Sequence, residues 1–231
     1  MTASRARSRW GVGLLAFALA GAAQAQGTDR TDVQAWYATK LTLDLPRKWE
    51  VGLQWRARYD DDATSWRGAY VTTDVAKEVG PWTLEASHRL AVVEGARYHR
   101  VAAGGSWERR AGATRVSLRT LVQHQLQVFD ANDETGTGAS TFLRTRVQVR
   151  RTVSPRLAVY GSVEPYFAFG ADYPIDNWRN TVGTRWALGG GRTLDVYYIY
   201  RPDYAKAYNR LFHVIGVDLD ATLKLPRRAR R

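Results

Sequence analysis

The sequence predicts an all-β protein, an antiparallel up-and-down transmembrane β-barrel of about 10–12 strands. Three observations lead to this fold class. Polar and apolar side chains alternate strictly, the alternating segments run for about a dozen residues, and short turns alternate with longer polar loops. Alternation with a period of two places one set of side chains on each face of a strand. The segment length matches the roughly 9–11 residues with which a tilted strand crosses a bilayer.

The clearest alternation lies in the hairpin from Thr141 to Phe169, which turns at Ser154 and Pro155. In its first strand every second residue is polar: Arg144, Arg146, Gln148 and Arg150. A helix would distribute these arginines around its whole circumference, so the pattern indicates a strand. We expect the apolar face to contact lipid and the polar face to line the lumen.

The composition limits the possible classes of protein. The chain has 231 residues, which suits a single barrel domain, and it contains no cysteine. A disulfide framework, a thiolate zinc site and a cysteine nucleophile are therefore excluded. The net charge of +12 is compatible with binding nucleic acid, acidic lipid headgroups or a transported anion. Most arginines lie at strand positions rather than in runs, which favours arginines packed inside a barrel.

The first 25 residues have the features of a signal peptide. A basic start precedes a short apolar stretch from Gly11 to Ala20, and Ala23 and Ala25 occupy the positions that a signal peptidase reads. No apolar run of about 18 residues follows, so we expect export to the outer membrane of a Gram-negative bacterium. The predicted domains are a signal peptide at 1–25, a short N-terminal segment at 26–32, a β-barrel at 33–225 and a basic tail at 226–231.

The rest of the chain contains eleven strand candidates. They are approximately 33–44, 49–59, 67–78, 82–93, 98–109, 114–127, 141–152, 156–167, 178–188, 192–201 and 210–223. Very short turns alternate with longer polar connections between them, which is typical of outer-membrane barrels. Because bacterial barrels normally have an even number of strands, an odd count leaves the strand number and the position of the N-terminus open.

Aromatic residues near the strand ends support the membrane assignment. Near the short turns lie Trp49, Trp82, Trp107 and Trp186. Near the long loops lie Tyr59, Trp66, Phe129, Phe142, Phe167, Trp178 and Tyr200. Tryptophan and tyrosine concentrate at both water–lipid boundaries, so we interpret these residues as the two girdles of a barrel.

The residue parity of each strand predicts which charged side chains line the lumen. They are Arg56, Arg58, Glu85, Arg89, Glu108, Arg119, Arg144, Arg146, Arg150, Glu164, Arg185, Asp195, Arg201 and Asp218. Placing one of these arginines in mid-bilayer lipid would cost about 2–4 kcal/mol, which fixes the strand register. A plug of arginine–carboxylate pairs is the default expectation at this barrel size, and a narrow anion-selective pore is the functional alternative.

The sequence offers little evidence for catalysis, a metal or a cofactor. On the predicted strands, His88, His124 and His213 fall on the lipid face, whereas Ser87 and Ser117 fall on the opposite face. No serine and histidine share a face at the spacing needed for hydrogen bonding within one strand. The acidic loops at 60–62 and 130–134 are oxygen-rich, but solvated loop acids explain them better than a cation site. We therefore predict no enzyme activity, no metal and no cofactor.

Several segments resemble the DUF2490 family of predicted outer-membrane barrels. They are Leu45-Pro46-Arg47-Lys48-Trp49, Trp55-Arg56-Ala57-Arg58-Tyr59, the stretch from Trp82 to Arg89, the strand from Phe142 to Arg151, Glu164-Pro165-Tyr166 and His213-Val214-Ile215. The resemblance covers about residues 33–223. It implies a barrel and its location, and it assigns no catalytic residues.

The predicted function is therefore an outer-membrane barrel that is either structural or a narrow anion-preferring pore. Its expected partners are outer-membrane lipids, the barrel assembly machinery and small anionic solutes, but not nucleic acid. An outer-membrane enzyme that modifies lipids is the first alternative. A secreted basic β-sandwich that binds nucleic acid is a further alternative, which the long strands and outward apolar rows disfavour.

Overall fold

The computed structural model describes residues 30–93, 96–127, 141–170, 175–204 and 210–225. These residues form β1 (Arg30–Leu45), β2 (Trp49–Asp60), β3 (Ser65–Val79), β4 (Trp82–Val93), β5 (Ala96–Ala111), β6 (Thr114–Gln127), β7 (Thr141–Ser154), β8 (Leu157–Ala168), β9 (Ile175–Gly189), β10 (Arg192–Asp203) and β11 (Arg210–Lys224). All the predicted strands are present, with ends shifted by a few residues. A short 3-10 turn at Pro46–Lys48 joins β1 to β2. No helix in these ranges is long and apolar enough to cross a membrane.

The predicted terminal segments fall mostly beyond these ranges. The signal peptide at 1–25, the basic tail at 226–231 and the acidic loop at 130–134 lie outside the described residues. The first strand begins at Arg30, earlier than the predicted start at residue 33. The end of the predicted 26–32 segment is therefore part of the barrel wall.

The strands close into one barrel, which confirms the predicted fold class. Each strand pairs with its neighbours in the chain, and β1 pairs with β11 to close the sheet. The closing pair is parallel, and the other ten are antiparallel. The prediction of a wholly antiparallel barrel is thus wrong at one seam. An up-and-down chain with an odd number of strands begins and ends in the same direction, so its closure is necessarily parallel.

The register determines the shape of the barrel. Following paired residues from Asp44 once around the sheet leads back to Arg30, a stagger of 14 residues. With strands about 4.8 Å apart and a rise of about 3.3 Å per residue, this stagger gives a strand tilt of about 40°. The corresponding radius to the backbone is about 11 Å. Such a barrel is wider than an eight-stranded one, which side chains fill.

The two ends of the barrel differ in their connections. We call the end with the connections at 46–48, 80–81, 112–113, 155–156 and 190–191 the turn end, and the opposite end the loop end. Gly80 and Gly112 adopt φ values of 60° and 59° in their turns. Only glycine adopts this left-handed conformation without a steric penalty, so these residues permit two-residue connections.

The two faces of the sheet differ sharply in polarity. The outer face carries exposed apolar side chains on every strand, among them Leu53, Val75, Leu84, Val149 and Ile215. The buried apolar residues lie inside the barrel, toward the loop end. They form one cluster of Trp36, Ile199 and Val214 and another of Tyr70, Ala91 and Tyr98. Half of the residues that line the remaining lumen are charged.

Candidate functional site: an arginine-rich lumen

The inward side chains surround a cavity of about 680 Å³. Thirteen of the fourteen sequence-predicted residues line it. They are Arg56, Arg58, Glu85, Arg89, Glu108, Arg119, Arg144, Arg146, Arg150, Glu164, Arg185, Asp195 and Asp218. Counting all lining residues, eleven are basic and seven are acidic. The cavity wall therefore has an excess of four positive charges.

Arg201 is the one predicted lumen residue that the structure does not place on the cavity wall. Its side chain is buried, pairs with Asp203 at 3.2 Å and stacks over Phe212 at 5.1 Å. Phe212 packs against the apolar cluster around Trp36. Residue parity alone predicts the inward direction of Arg201 but not this core, which lies between it and the cavity.

Acidic and basic residues are balanced in the half of the lumen nearest the turn end. Among the residues that line the cavity and their ion-pair partners, six carboxylates and five basic residues lie within six positions of the turn end of their strands. Most of them form close ion pairs, so this half resembles the predicted plug. The pairs are Lys40–Asp74 at 2.9 Å, Arg56–Asp218 at 2.8 Å, Arg115–Glu108 at 2.9 Å and Arg185–Asp195 at 2.7 Å.

Positive charge is concentrated midway along the barrel. Seven arginines line the cavity there, and we call this set the arginine belt. The belt consists of Arg56, Arg58, Arg89, Arg100, Arg144, Arg146 and Arg179. At this level Glu164 is the only carboxylate on the cavity wall among the described residues. It accepts from Arg144 at 3.0 Å and from Arg119, just below the belt, at 3.3 Å.

Three guanidinium groups of the belt make no ion pair with any residue that the structure describes: Arg89, Arg146 and Arg179. Arg89 donates to the hydroxyl of Thr72 at 3.0 Å. Arg179 instead stacks on Tyr166 at 4.4 Å. Buried charges are usually paired or bound to a ligand because desolvation without compensation is costly. An anion in the cavity would supply the missing compensation.

The strand register brings arginines directly opposite one another. Arg89 pairs with Arg100, Arg115 with Arg150, and Arg119 with Arg146 across neighbouring strands. Like charges in directly opposed positions repel each other and destabilise a sheet. One of these pairs is bridged within the protein, because Glu108 lies 2.9 Å from Arg115 and 4.0 Å from Arg150.

Aromatic rings support the guanidinium groups of the belt. Arg144 and Arg179 both stack on Tyr166, at 4.5 and 4.4 Å. Arg58 lies 4.1 Å from the ring of Trp36 and 4.2 Å from that of Tyr70. Arginine suits such stacking because its guanidinium is planar and weakly hydrated. These contacts hold the belt in position without neutralising its charge.

The sequence prediction missed several cavity residues: Lys40, Arg100, Arg179, Trp36 and Tyr166. For two of them, the position in the strand does predict an inward side chain. Arg100 has the same parity as Glu108 on β5, and Arg179 has the same parity as Arg185 on β9. Trp36 and Tyr166 belong to neither predicted girdle; they were missed because the lumen prediction named charged side chains only.

Potential catalytic groups lie on different faces of the sheet. Ser87 and Ser117 line the cavity. All four histidines form hydrogen bonds on the outer face: His88 with His99 at 2.9 Å, His124 with Thr141 at 2.7 Å, and His213 with Tyr198 at 2.5 Å. Across the described strands, no group of three or more His, Cys, Asp or Glu side chains is placed to hold a metal ion.

The exposed acidic turn between β2 and β3 is tied into the surrounding structure. Asp60 accepts from Arg67 at 2.7 Å, and the backbone N–H of Asp62 donates to Asp32 at 3.1 Å. The Asp60 carboxylate is therefore paired, and the backbone of Asp62 anchors the turn to β1.

Comparison with known families agrees with the sequence resemblance. A family model described as "Protein of unknown function (DUF2490)" matches residues 33–212. The chain belongs to the DUF2490 family. No similar sequence was found among curated proteins. The DUF2490 match extends from β1 into β11 and includes every residue of the arginine belt, so the belt lies within the matched part of the chain.

Proposed function

We propose that this DUF2490 protein is an outer-membrane barrel whose lumen binds small anions and passes them through a narrow pore. The observation that carries this proposal is the arginine belt. Its wall has an excess of positive charge, and Arg89, Arg146 and Arg179 lack carboxylate partners among the described residues. Charged walls around a low-dielectric cavity raise the local concentration of ions of the opposite sign.

The outer face supports insertion into a membrane. On β6 the exposed apolar side chains extend from Val116 to Leu126. Ten residues of a strand tilted by about 40° rise about 25 Å, which is the height of the apolar band on outer-membrane barrels. Closure of the sheet leaves no unpaired strand edge, which is the condition for β-structure in lipid.

The cavity volume supports an open lumen over a complete plug. A cavity of about 680 Å³ has room for at least about 20 water molecules. The ion pairs near the turn end narrow the path, whereas the belt supplies charge selectivity. Trp36, Tyr70, Tyr98 and Tyr166 are almost fully buried at the loop side of the belt and form an aromatic layer on the proposed path.

Reversal-potential measurements in planar bilayers test the proposal. With a salt gradient, the wild-type protein is expected to prefer anions, and Arg146→Glu is expected to reduce or reverse this preference. Arg192→Glu is the matched control, because it makes the same charge change at an exposed turn outside the lumen. The pore proposal fails if the wild type does not conduct, or if Arg146→Glu leaves the reversal potential unchanged.

Location is tested separately by the mobility of the outer-membrane fraction in gels with and without boiling. A closed barrel resists detergent until it is heated, so the unboiled and boiled bands should differ. A soluble periplasmic protein without this shift would contradict the membrane assignment.

We also infer that the protein does not modify lipids. The separation of Ser87 and Ser117 from the outward histidines supports this inference. Mass spectrometry of lipid A and phospholipids from a deletion strain provides the test. A changed lipid profile that wild-type protein restores would favour the enzyme alternative.

A further inference from the structure

A second polar cluster lies at the loop end, where β9 and β10 are paired. Asp176, Asn177 and Asp203 are only 2%, 2% and 5% exposed. The backbone brings them together, because Asn177 pairs directly with Asp203, and the N–H of Tyr204 donates to the carbonyl of Asp176 at 2.9 Å. Buried polar groups of this kind normally have hydrogen-bond partners.

A β-bulge directs one of these carboxylates into the cluster. Between β8 and β9, Tyr166 pairs with Asn177 and Phe167 pairs with Ile175, which leaves Asp176 as an extra residue. A bulge changes the direction of side chains locally and often occurs beside functional sites. Regular alternation would place Asp176 on the face opposite Asn177, yet the structure buries both.

The hydrogen bonds within the cluster use only one oxygen of each carboxylate. Asn177 donates from Nδ2 to Oδ2 of Asp176 at 2.6 Å, and Arg201 donates to Oδ2 of Asp203 at 3.2 Å. Three buried oxygens remain without a donor: Oδ1 of Asp176, Oδ1 of Asn177 and Oδ1 of Asp203. One water molecule can donate only two hydrogen bonds, so a single water cannot satisfy all three acceptors.

We propose that these three oxygens bind a hard divalent cation, with calcium the best match. Ca²⁺ takes carboxylate and amide oxygens as ligands and completes its shell with water or backbone carbonyls. Two guanidiniums, of Arg201 and Arg179, act on Asp176. They balance the two carboxylates and also stack on aromatic rings, Arg201 over Phe212 at 5.1 Å and Arg179 over Tyr166 at 4.4 Å. Two carboxylates and one amide form a weak site, in the range of about 10⁻⁴–10⁻³ M found in extracellular calcium modules.

The site would link β9 to β10 next to the aromatic layer of the lumen. Asn177 lies on β9 and Asp203 on β10, and Tyr166 of the aromatic layer pairs with Asn177. A bound cation would therefore stabilise the loop end of the barrel. This role is tested without measuring anion conductance, although Asp176 interacts electrostatically with Arg179 of the belt.

Terbium luminescence on the detergent-folded full chain tests the proposal directly. The protein is first treated with EDTA and then titrated with Tb³⁺ while tryptophan is excited. Trp178 follows Asn177 in the chain and is the expected donor. We expect saturable luminescence that Ca²⁺ displaces. Absence of saturable binding at millimolar cation would overturn the proposal and indicate that the cluster holds water.

Two variants and one control locate the binding site. Asp176→Asn and Asp203→Asn preserve side-chain volume and should each weaken Tb³⁺ binding by about tenfold or more. Asp61→Asn removes a carboxylate from the exposed turn between β2 and β3 and should leave binding unchanged. Loss of binding in Asp61→Asn alone would assign the signal to that turn and refute the proposed site.

A thermal measurement covers the case in which one variant folds poorly. Ca²⁺ should raise the Tm of the wild type and of Asp61→Asn, because a ligand that binds only the folded state stabilises it. It should not raise the Tm of whichever of Asp176→Asn and Asp203→Asn gives a folded barrel. An equal Ca²⁺ shift in wild type and variant would contradict the proposal.

Discussion

Replacing Glu164 should change the stability of the barrel and its preference for anions in opposite directions. Its carboxylate accepts from Arg144 at 3.0 Å and from Arg119 at 3.3 Å. The side chain of Glu164 is 9% exposed, and those of Arg144 and Arg119 are 15% and 22% exposed. Glu164→Gln keeps the shape of the side chain but leaves Arg144 without a counter-charge and leaves Arg119 with only the more distant Glu85, at 3.9 Å.

The expected loss of stability follows from this burial. Removing one partner of a buried ion pair destabilises a protein by about 3–5 kcal/mol. Water in the cavity screens the remaining charges, and glutamine still accepts one hydrogen bond, which returns about 1 kcal/mol. We therefore expect the free energy of unfolding to fall by about 2–3 kcal/mol. The same substitution makes the lumen more positive, so anion preference should increase as stability decreases.

Glu108→Gln is the matched control for this experiment. Glu108 also faces two arginines, Arg115 at 2.9 Å and Arg150 at 4.0 Å, but its side chain is 46% exposed. Exposed ion pairs contribute about 0–1 kcal/mol, so the control should lose less than about 1 kcal/mol. Urea unfolding of the detergent-folded protein, followed by tryptophan fluorescence, measures both changes.

An anion titration provides a second test of the Glu164→Gln variant. At constant ionic strength, phosphate in place of chloride should restore part of the stability that Glu164→Gln loses, because a ligand of the folded lumen shifts the folding equilibrium. Two results would refute the reasoning. One is an equal loss of stability in Glu164→Gln and Glu108→Gln. The other is a loss of anion preference in Glu164→Gln.

Two further predictions test the faces of the sheet and the packing of the lumen. Val147→Arg, on the exposed apolar face and further inside the apolar band, should lower the free energy of unfolding in lipid by about 2 kcal/mol. Gln148→Arg, at the adjacent lumen position, should have a much smaller effect. Equal effects would contradict the membrane assignment. A Cβ atom on Gly216 would lie 2.1 Å from Tyr197 Cζ, so Gly216→Ala should cost about 1–3 kcal/mol by overpacking. Gly161→Ala is the control, because the nearest atom to its new Cβ would be 3.7 Å away. Urea unfolding measures the stability of both variants. A loss in Gly216→Ala no larger than that in Gly161→Ala would show that the ring of Tyr197 can move aside.

The two-residue period of polar and apolar side chains determines much of the fold of this protein. The direction of a side chain on a strand depends only on residue parity, so the alternation by itself places Arg144, Arg146 and Arg150 on one face. The eleven strand candidates also followed from local signals, because Gly80-Pro81 and Gly112 mark turns through their own backbone preferences, but these signals left the strand number between 10 and 12. These features are local, and the fold could be predicted because a barrel repeats one local pattern.

The tertiary structure alone decided which residues meet across the barrel. Parity placed Glu164 in the lumen but could not identify Arg119 and Arg144 as its partners, since that depends on the stagger of the whole sheet. Closure through a parallel β1–β11 pair is likewise a property of the complete chain. The bulge at Asp176 breaks the two-residue period, so the sequence pattern could not predict that carboxylate as buried beside Asp203. The face on which a side chain lies depends on its position within one strand, whereas its partners across the barrel depend on how all the strands close.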